Sequence, residues 1–181
     1  MNVISFDLDG VMKIEAEMLH DARGWFSEGY NKKKFAEIGI DIDFIQDNFS
    51  FTEHKGTIRG MHYQEHPYEQ AKLFRCIKGE LFDVVVDLRR DSPHFLQWKG
   101  YILKGDKIEW LFIPRGFAHG FQTLTDDCLV QYKVDNYFNK NYDRNFIWND
   151  DTVNIKWKYE DVYLSVKDRN APAISDILNI R

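Results

Sequence analysis

The stretch Pro114-Arg115-Gly116-Phe117-Ala118-His119-Gly120-Phe121 carries a histidine on a strand-like run that follows a glycine turn. A second histidine has a similar setting earlier in the chain, in Arg59-Gly60-Met61-His62-Tyr63-Gln64. Short apolar runs bounded by glycine or proline are typical of β-strands. We therefore expect the two histidines to converge on one pocket inside a β-rich fold.

Strand-like runs recur along the chain and are separated by turn residues. Their regular spacing indicates a β-sandwich or a barrel. One early segment, Asn31 to Ile38, is predicted to be a helix that Asn31 caps and Gly39 ends. Short helical turns are expected around Asp161 and Ser175-Asp176. The predicted strands are Val11–Glu15, Trp25–Glu28, Asp43–Asn48, Thr57–Tyr63, Lys72–Ile77, Leu81–Leu88, Gln97–Leu103, Glu109–Ile113, Gly120–Thr123 and Leu129–Val134.

The run Leu81–Leu88 is apolar at most positions, which predicts a central strand covered on both faces. Its aspartates need partners, because ionised side chains that become buried are normally paired. We expect those partners to be Arg89, Arg90 or Arg115.

The composition agrees with a β-rich globular chain. Aromatic residues make up 15% of the 181 residues, and aromatic side chains suit a pleated surface. A net charge of -5 makes the chain a poor general binder of nucleic-acid backbone.

With no linker or internal repeat, we expect one domain over residues 1–181. With no basic leader and no run of about 20 apolar residues, we expect no signal peptide or membrane span and a cytoplasmic protein.

The two cysteines, Cys76 and Cys128, are far apart in the sequence. This spacing forms neither a disulfide framework nor a zinc motif. We therefore expect two buried free thiols, as is usual in a reducing compartment.

The pattern Pro114-x-Gly116-x-x-His119 resembles one half of the signature of cupins, which are small jelly-roll barrels. Metal-binding cupins supply the other half as His-x-His followed by a glutamate. Here the equivalents are His62-Tyr63-Gln64 and then Lys72. Catalytic zinc or iron sites typically use about three protein ligands, and a lysine ammonium would repel a divalent cation. The sequence therefore favours a site without a catalytic metal.

A histidine and a lysine can perform proton chemistry without a metal. The histidine can accept a proton near neutral pH, and the lysine can stabilise the oxyanion that develops. Together they suit proton abstraction next to a carbonyl group. Inversion needs a second group that returns a proton from the opposite face, and Tyr132 or another histidine could do so.

Ordered motifs over nearly the whole chain resemble the dTDP-4-dehydrorhamnose 3,5-epimerases, cupin-fold enzymes of nucleotide-sugar metabolism. The resemblance implies an all-β, cupin-type jelly-roll barrel with a few short peripheral helices. One departure is Tyr137-Phe138, where a Tyr-Tyr pair is common. The motifs are Asp21-Ala22-Arg23-Gly24-Trp25-Phe26-Ser27-Glu28, Phe44-Ile45-Gln46-Asp47-Asn48, Arg59-Gly60-Met61-His62-Tyr63-Gln64, Lys72, Asp83-Val84-Val85-Val86-Asp87-Leu88-Arg89, Gly116-Phe117-Ala118-His119-Gly120-Phe121, Tyr132-Lys133, Ile147-Trp148-Asn149-Asp150 and Ser165-Val166-Lys167-Asp168.

The resemblance implies a catalytic role for five residues. His62 would be the base, and Asp168 would orient it in a His–carboxylate dyad. Lys72, with His119 nearby, would stabilise the enolate oxygen at carbon 4 of the sugar. Tyr132 would deliver a proton from the opposite face.

The resemblance also implies a set of substrate-binding residues. Arg59 would bind the diphosphate through its planar fork, and Tyr137 would stack on thymine. Gln46, Asp47 and Asn48 would position the nucleotide and the sugar. Arg23 and Glu28 would reach into the site from a neighbouring subunit, and Phe26 would support that edge of the site. Asp143 and Lys167 would be further substrate-binding residues.

The implied activity is cofactor-free epimerisation of carbons 3 and 5 of dTDP-4-keto-6-deoxy-D-glucose, in a homodimer that swaps the segment around Arg23 and Glu28. Three alternatives remain open from the residues. They are a mono-epimerase or keto-isomerase for another deoxysugar, a metal-dependent cupin oxygenase, and a non-catalytic cupin that binds a nucleotide sugar.

Overall fold

The computed structural model describes residues 1–178, which form mainly β-strands. The described part of the chain also contains three short helices, α1 (Lys32–Glu37), α2 (Val166–Arg169) and α3 (Ile174–Leu178). The strands are β1 (Asn2–Asp7), β2 (Val11–Glu15), β3 (Leu19–Asp21), β4 (Gly24–Phe26), β5 (Gln46–Thr52), β6 (Ile58–Gln64), β7 (Lys72–Lys78), β8 (Glu80–Asp87), β9 (Trp98–Lys104), β10 (Glu109–Ile113), β11 (Phe117–Thr123), β12 (Cys128–Val134) and β13 (Asp143–Asn145).

Two antiparallel sheets enclose the main core. One has the strand order β1-β2-β10-β7-β12-β5 and the other β13-β6-β11-β8-β9. Buried side chains from both sheets form one cluster, for example Phe74 and Leu111 from the first and Val85 and Phe121 from the second. This arrangement, with its short peripheral helices, confirms the prediction of an all-β jelly-roll fold.

Each sheet also has apolar residues on its outer face, and other parts of the chain cover them. The C-terminal segment packs Phe146, Val153 and Ile174 against the outer face of the five-stranded sheet. Helix α1 packs Phe35 against the outer face of the six-stranded sheet, next to Trp110. Asn31 caps α1 by accepting a hydrogen bond from the Lys34 amide at 3.2 Å, as predicted.

Most predicted strands are present, but several bounds differ. The strand predicted at Asp43–Asn48 begins at Gln46 and continues to Thr52, because its backbone pairs with β12 along this whole length. The strand predicted at Trp25–Glu28 ends at Phe26, and β1, β3 and β13 were not predicted. The helical turn predicted around Asp161 is wrong. The helix begins at Val166, because Ser165 supplies the N-cap.

Strand β8 is buried on both faces, as predicted. Asp87 pairs with Arg89 at 2.6 Å, which confirms one expected partner. Asp83 does not pair with an arginine, because it lies inside the barrel and bonds to His119 at 2.8 Å.

Both cysteines are buried and free, as expected. No helix within residues 1–178 is long and apolar enough to cross a membrane.

Candidate active site

A cavity of about 380 Å³ opens between the two sheets. Its walls come from β5, β6, β7, β11 and β12, and α2 closes one side. The lining therefore combines strands of the barrel with helix α2 and its N-cap residue Ser165. The residues that line it are Ser50, Thr57, Ile58, Arg59, His62, Lys72, Phe74, His119, Phe121, Tyr132, Ser165, Lys167 and Asp168.

A second cavity of about 300 Å³ adjoins the first. The two share His62, Lys72, Tyr132 and Lys167, so they are two lobes of one site around these side chains. The second lobe alone is lined by Tyr63, Gln64, Gln70, Gly116, Phe117, Phe138 and Asp143.

His62 is hydrogen-bonded to a buried carboxylate. Its Nε2 atom lies 2.5 Å from Asp168 Oδ1. The Ser165 hydroxyl fixes Asp168 by accepting a hydrogen bond from its amide at 3.0 Å. Burial alone would raise the pKa of Asp168, but the hydrogen bond and the charge of His62 hold it below the ordinary value. The carboxylate is therefore ionised and can stabilise a protonated imidazole.

His119 lies directly opposite His62 in the β6–β11 pair. Burial lowers its pKa, although the adjacent Asp83 carboxylate opposes the shift. Gly60 and Gly120 permit the close approach of the two strands, since a β-carbon on Gly60 would lie 2.5 Å from the Gly120 Cα atom. The two imidazoles thus face one cavity with different environments.

Lys72 lies on the wall that β7 contributes. Burial lowers its pKa from 10.5 to about 8, and the charges of Asp83 and Asp143 oppose that shift. The ammonium is therefore protonated near neutral pH but is held with little solvation. Such a cation interacts strongly with a developing oxyanion.

Tyr132 packs against Phe74, with ring centroids 6.0 Å apart and planes inclined by 27°. Burial raises the pKa of its hydroxyl, while Arg59 opposes the shift. A phenol in this environment stays neutral and can act as an acid.

Two hydrogen bonds hold the guanidinium of Arg59 at the cavity wall. Its Nε atom donates to Thr52 Oγ1 at 2.9 Å, and Nη2 donates to the Phe51 carbonyl at 3.0 Å. Because guanidinium has five N–H donors in a planar fork, the group keeps donors for an anionic ligand.

The other predicted binding residues differ in how close they lie to the two lobes. Asp143 and Lys167 form an ion pair at 2.5 Å in the wall of the second lobe. On β5, Gln46, Asp47 and Asn48 are near the site but line neither lobe. The amide of Gln46 donates to Asn48 at 2.8 Å, and Asp47 accepts from Lys133 at the same distance.

The segment Arg23–Glu28 lies on and just after the β3–β4 hairpin, outside both lobes. Arg23 pairs with Asp21 at 2.7 Å, and Phe26 is 67% exposed. Glu28 pairs with Lys34 at 3.1 Å. These side chains line neither lobe of the site.

Of the neighbouring residues Tyr137 and Phe138, the one that lines the second lobe is not the predicted one. Phe138 lines it, whereas Tyr137 does not, and both rings are more than 60% exposed. The stacking role of Tyr137 remains a prediction. Sequence reasoning also missed that Gln64 lines the second lobe and that Asp83 is the partner of His119. The register of β8 with β11 pairs Val85 with His119, and that register is not readable from the sequence.

A jelly-roll barrel whose cavity holds a His–carboxylate pair, a buried lysine and a neutral tyrosine has the groups that acid–base catalysis of proton transfer at carbon requires. Within residues 1–178, no group of three or more His, Cys, Asp or Glu side chains is arranged to hold a metal ion. The site thus has the elements of a carbon-acid epimerase.

Comparisons with known proteins identify the family. The family model of dTDP-4-dehydrorhamnose 3,5-epimerase matches residues 5–176. The enzyme of that name from Shigella flexneri is 43% identical over 177 residues, which are 97% of each chain. The Bacillus anthracis enzyme, solved with TDP and PPi bound, is 43% identical with a TM-score of 0.94, over 96% of this chain and 99% of that one. The Legionella pneumophila enzyme, solved with dTDP-4-keto-L-rhamnose, is 39% identical with a TM-score of 0.90, over 99% of this chain and 93% of that one. This chain belongs to the dTDP-4-dehydrorhamnose 3,5-epimerase family.

Proposed function

We propose that this protein epimerises carbons 3 and 5 of dTDP-4-keto-6-deoxy-D-glucose and so forms dTDP-4-keto-L-rhamnose. The observation that carries the proposal is the 2.5 Å bond between His62 and Asp168 at the wall of a cavity that also presents Lys72. Residues 1–181 act as one epimerase domain that needs no cofactor. The ligands of the Bacillus and Legionella relatives support this choice of substrate.

His62 is the base of the proposed reaction. When its Nε2–H donates to Asp168, the lone pair on Nδ1 accepts the proton from the carbon next to the ketone. Asp168 then stabilises the imidazolium, as the carboxylate does in other His–Asp pairs. The keto oxygen becomes an enolate, and Lys72 and His119 stabilise it from the other walls of the cavity.

Tyr132 returns a proton to the opposite face of the sugar. It lies on β12, in the sheet opposite β6, which carries His62. A base and an acid on two facing sheets can act on opposite faces of one ring. Inversion follows because the proton leaves one face and another arrives from the other.

The nucleotide binds through residues that take no part in proton transfer. Arg59 binds the diphosphate, and Asp143 and Lys167 line the path to the sugar. Of the two exposed rings, Phe138 is the nearer candidate for stacking on the base, since it lines the second lobe. Gln46, Asp47 and Asn48 position the ligand from β5. Binding energy from this unreactive part of the substrate holds the sugar for reaction.

The protein works as a homodimer in the cytoplasm. The hairpin bearing Arg23 does not reach its own site and exposes Phe26, so it can complete the site of a second copy. An exposed apolar strip on β5, formed by Phe49 and Phe51, is a further surface suited to that contact.

The test is proton NMR of dTDP-4-keto-6-deoxyglucose with the enzyme in heavy water. Loss of the signals at carbons 3 and 5, with both losses abolished in His62→Ala, would support the double epimerase. Loss at one carbon would identify a mono-epimerase. Absence of exchange with tight dTDP binding would indicate a non-catalytic binding protein, and activity that depends on bound iron would indicate an oxygenase.

A further inference from the structure

Gln64 stands where metal-binding cupins would place their second histidine, and its side chain has another use here. It is nearly buried on β6, two residues after His62. Its Nε2 atom donates to the carbonyls of Tyr68 at 2.7 Å and Tyr137 at 3.2 Å. Its Oε1 atom accepts from the amide of Asn139 at 2.7 Å.

The bonds to Tyr137 and Asn139 lie on either side of Phe138 along the backbone. The Tyr137 carbonyl belongs to the peptide unit before Phe138, and the Asn139 amide belongs to the unit after it. One side-chain amide therefore holds both peptide units that set the backbone of Phe138. A primary amide can do this because it carries two donors and an acceptor. A neutral imidazole has one donor and one acceptor and could not form all three bonds.

Phe138 needs such a support, because its own ring has little packing. The residue is 61% exposed, although it lines the second lobe. Neighbouring side chains therefore do little to fix its position. The backbone hydrogen bonds to Gln64 fix the position of Phe138, and they connect it to β6, the strand that carries His62.

We propose that Gln64 is a positioning residue that holds Phe138 over the second lobe, and so sets the affinity for the nucleotide. This inference rests on the proposed function for the identity of the ligand. Gln64 acts through Phe138 and touches no reacting atom, so it should affect binding and leave the proton transfer itself unchanged.

The experiment is a double-mutant cycle between Gln64→Met and Phe138→Ala, with dTDP as the probe and with kcat and KM measured on the sugar nucleotide. Gln64→Met should weaken dTDP binding about 3- to 10-fold, the range expected for an aromatic contact, and leave kcat within about twofold. In the Phe138→Ala background the same change should have almost no further effect, because coupled residues are not additive. Gln97→Met, which removes an exposed amide that lines neither lobe, is the matched control and should match the wild type.

An equal loss in both backgrounds would overturn the proposal, as would unchanged dTDP affinity in Gln64→Met or a fall in kcat alone. Thermal melts check that each variant folds. If Gln64→Met does not fold, Gln64→Glu replaces it, since it keeps the acceptor for Asn139 and loses both donors. A wild type that does not bind dTDP would overturn the proposed function together with this inference. A wild type that binds, with Gln64 variants that bind equally well, would overturn the positioning role alone.

Discussion

His62 and His119 lie opposite each other across two neighbouring strands, and each is hydrogen-bonded to a different buried carboxylate. His62 bonds to Asp168 from α2, and His119 bonds to Asp83 from β8. One imidazole is partly exposed to the cavity, whereas the other is buried. The same residue type is therefore suited to two tasks, proton transfer for His62 and hydrogen bonding to the substrate oxygen for His119.

Asp168→Asn should lower kcat by about 10²- to 10⁴-fold, the usual range for lost acid–base assistance. The amide keeps the size of the side chain but cannot stabilise an imidazolium. Steady-state kinetics and exchange in heavy water measure the effect. Asp151→Asn, an exposed change on the C-terminal segment, should leave activity unaltered. Wild-type turnover in Asp168→Asn would remove the dyad from the mechanism.

Lys72 should give activity and stability opposite dependences on pH. The enolate requires the protonated amine, so kcat should fall as pH rises through about 8. The folded pKa lies below the unfolded one, so between about pH 8 and 10.5 the unfolded chain binds more protons. In that window this group makes the free energy of unfolding increase with pH.

Rate profiles and denaturant titrations of the wild type and Lys72→Met measure the two dependences. The variant should lose both, together with most of its activity, whereas the exposed Lys140→Met should keep both. A wild-type kcat that stays flat from neutral pH to pH 10 would exclude Lys72 as the required cation.

Tyr132→Phe should separate proton removal from inversion. His62 is intact in this variant, so substrate protons should still exchange with heavy water, whereas the inverted product should form at least about 10²-fold more slowly. The ring and its packing on Phe74 remain, so the fold should survive. NMR of one sample reports both events, with Tyr159→Phe as the control outside the lobes. Normal product formation would assign the returning proton to another group.

Thr52→Val should weaken substrate binding without slowing the chemistry. The change removes the hydroxyl that accepts from Arg59 at 2.9 Å and keeps the shape of the side chain. We expect KM to increase about 3- to 10-fold, since a hydrogen bond to a charged group is lost, and kcat to stay within twofold. The exposed Thr152→Val serves as the comparison. A lower kcat with unchanged KM would contradict this role.

Mixed dimers can test whether Arg23 serves the neighbouring site. Arg23→Ala and His62→Ala should each be nearly inactive alone. Co-expressed, they should recover about a quarter of wild-type activity, because half of randomly paired dimers contain one intact site of two. No recovery, with mixed dimers demonstrated by mass, would place Arg23 in its own subunit's site or outside catalysis.

Much of the fold could be predicted from local patterns. The bounds of β2 and β10 were correct, and Asn31 caps α1, because these features depend on turn residues and on an N-cap that the sequence displays directly. Strand β5 was misplaced because its limits depend on pairing with β12. Strand β13 was missed because its three residues are held mainly by β6.

The candidate site, like the fold, could be predicted only in part from the sequence. Motifs predicted the five residues proposed for catalysis, and all five line the first cavity. The partners that hold them were harder to predict. Asp83 was expected to bind an arginine, Thr52 carried no signal, and Gln64 was noted only as the replacement of a metal-binding histidine. Each acts through a contact between segments distant in the sequence.

The approach of Gly60 to Gly120 has a consequence for how this enzyme could be altered. At that point the strands that carry His62 and His119 meet main chain against main chain, so there is no side chain to enlarge, trim or recharge. New substrate preferences would have to come from exposed residues that line the second lobe, such as Phe138, which bears little of the packing. The two strands and the exposed part of the second lobe could then change separately, and a redesign for another sugar would alter the exposed part and leave the two histidine strands as they are.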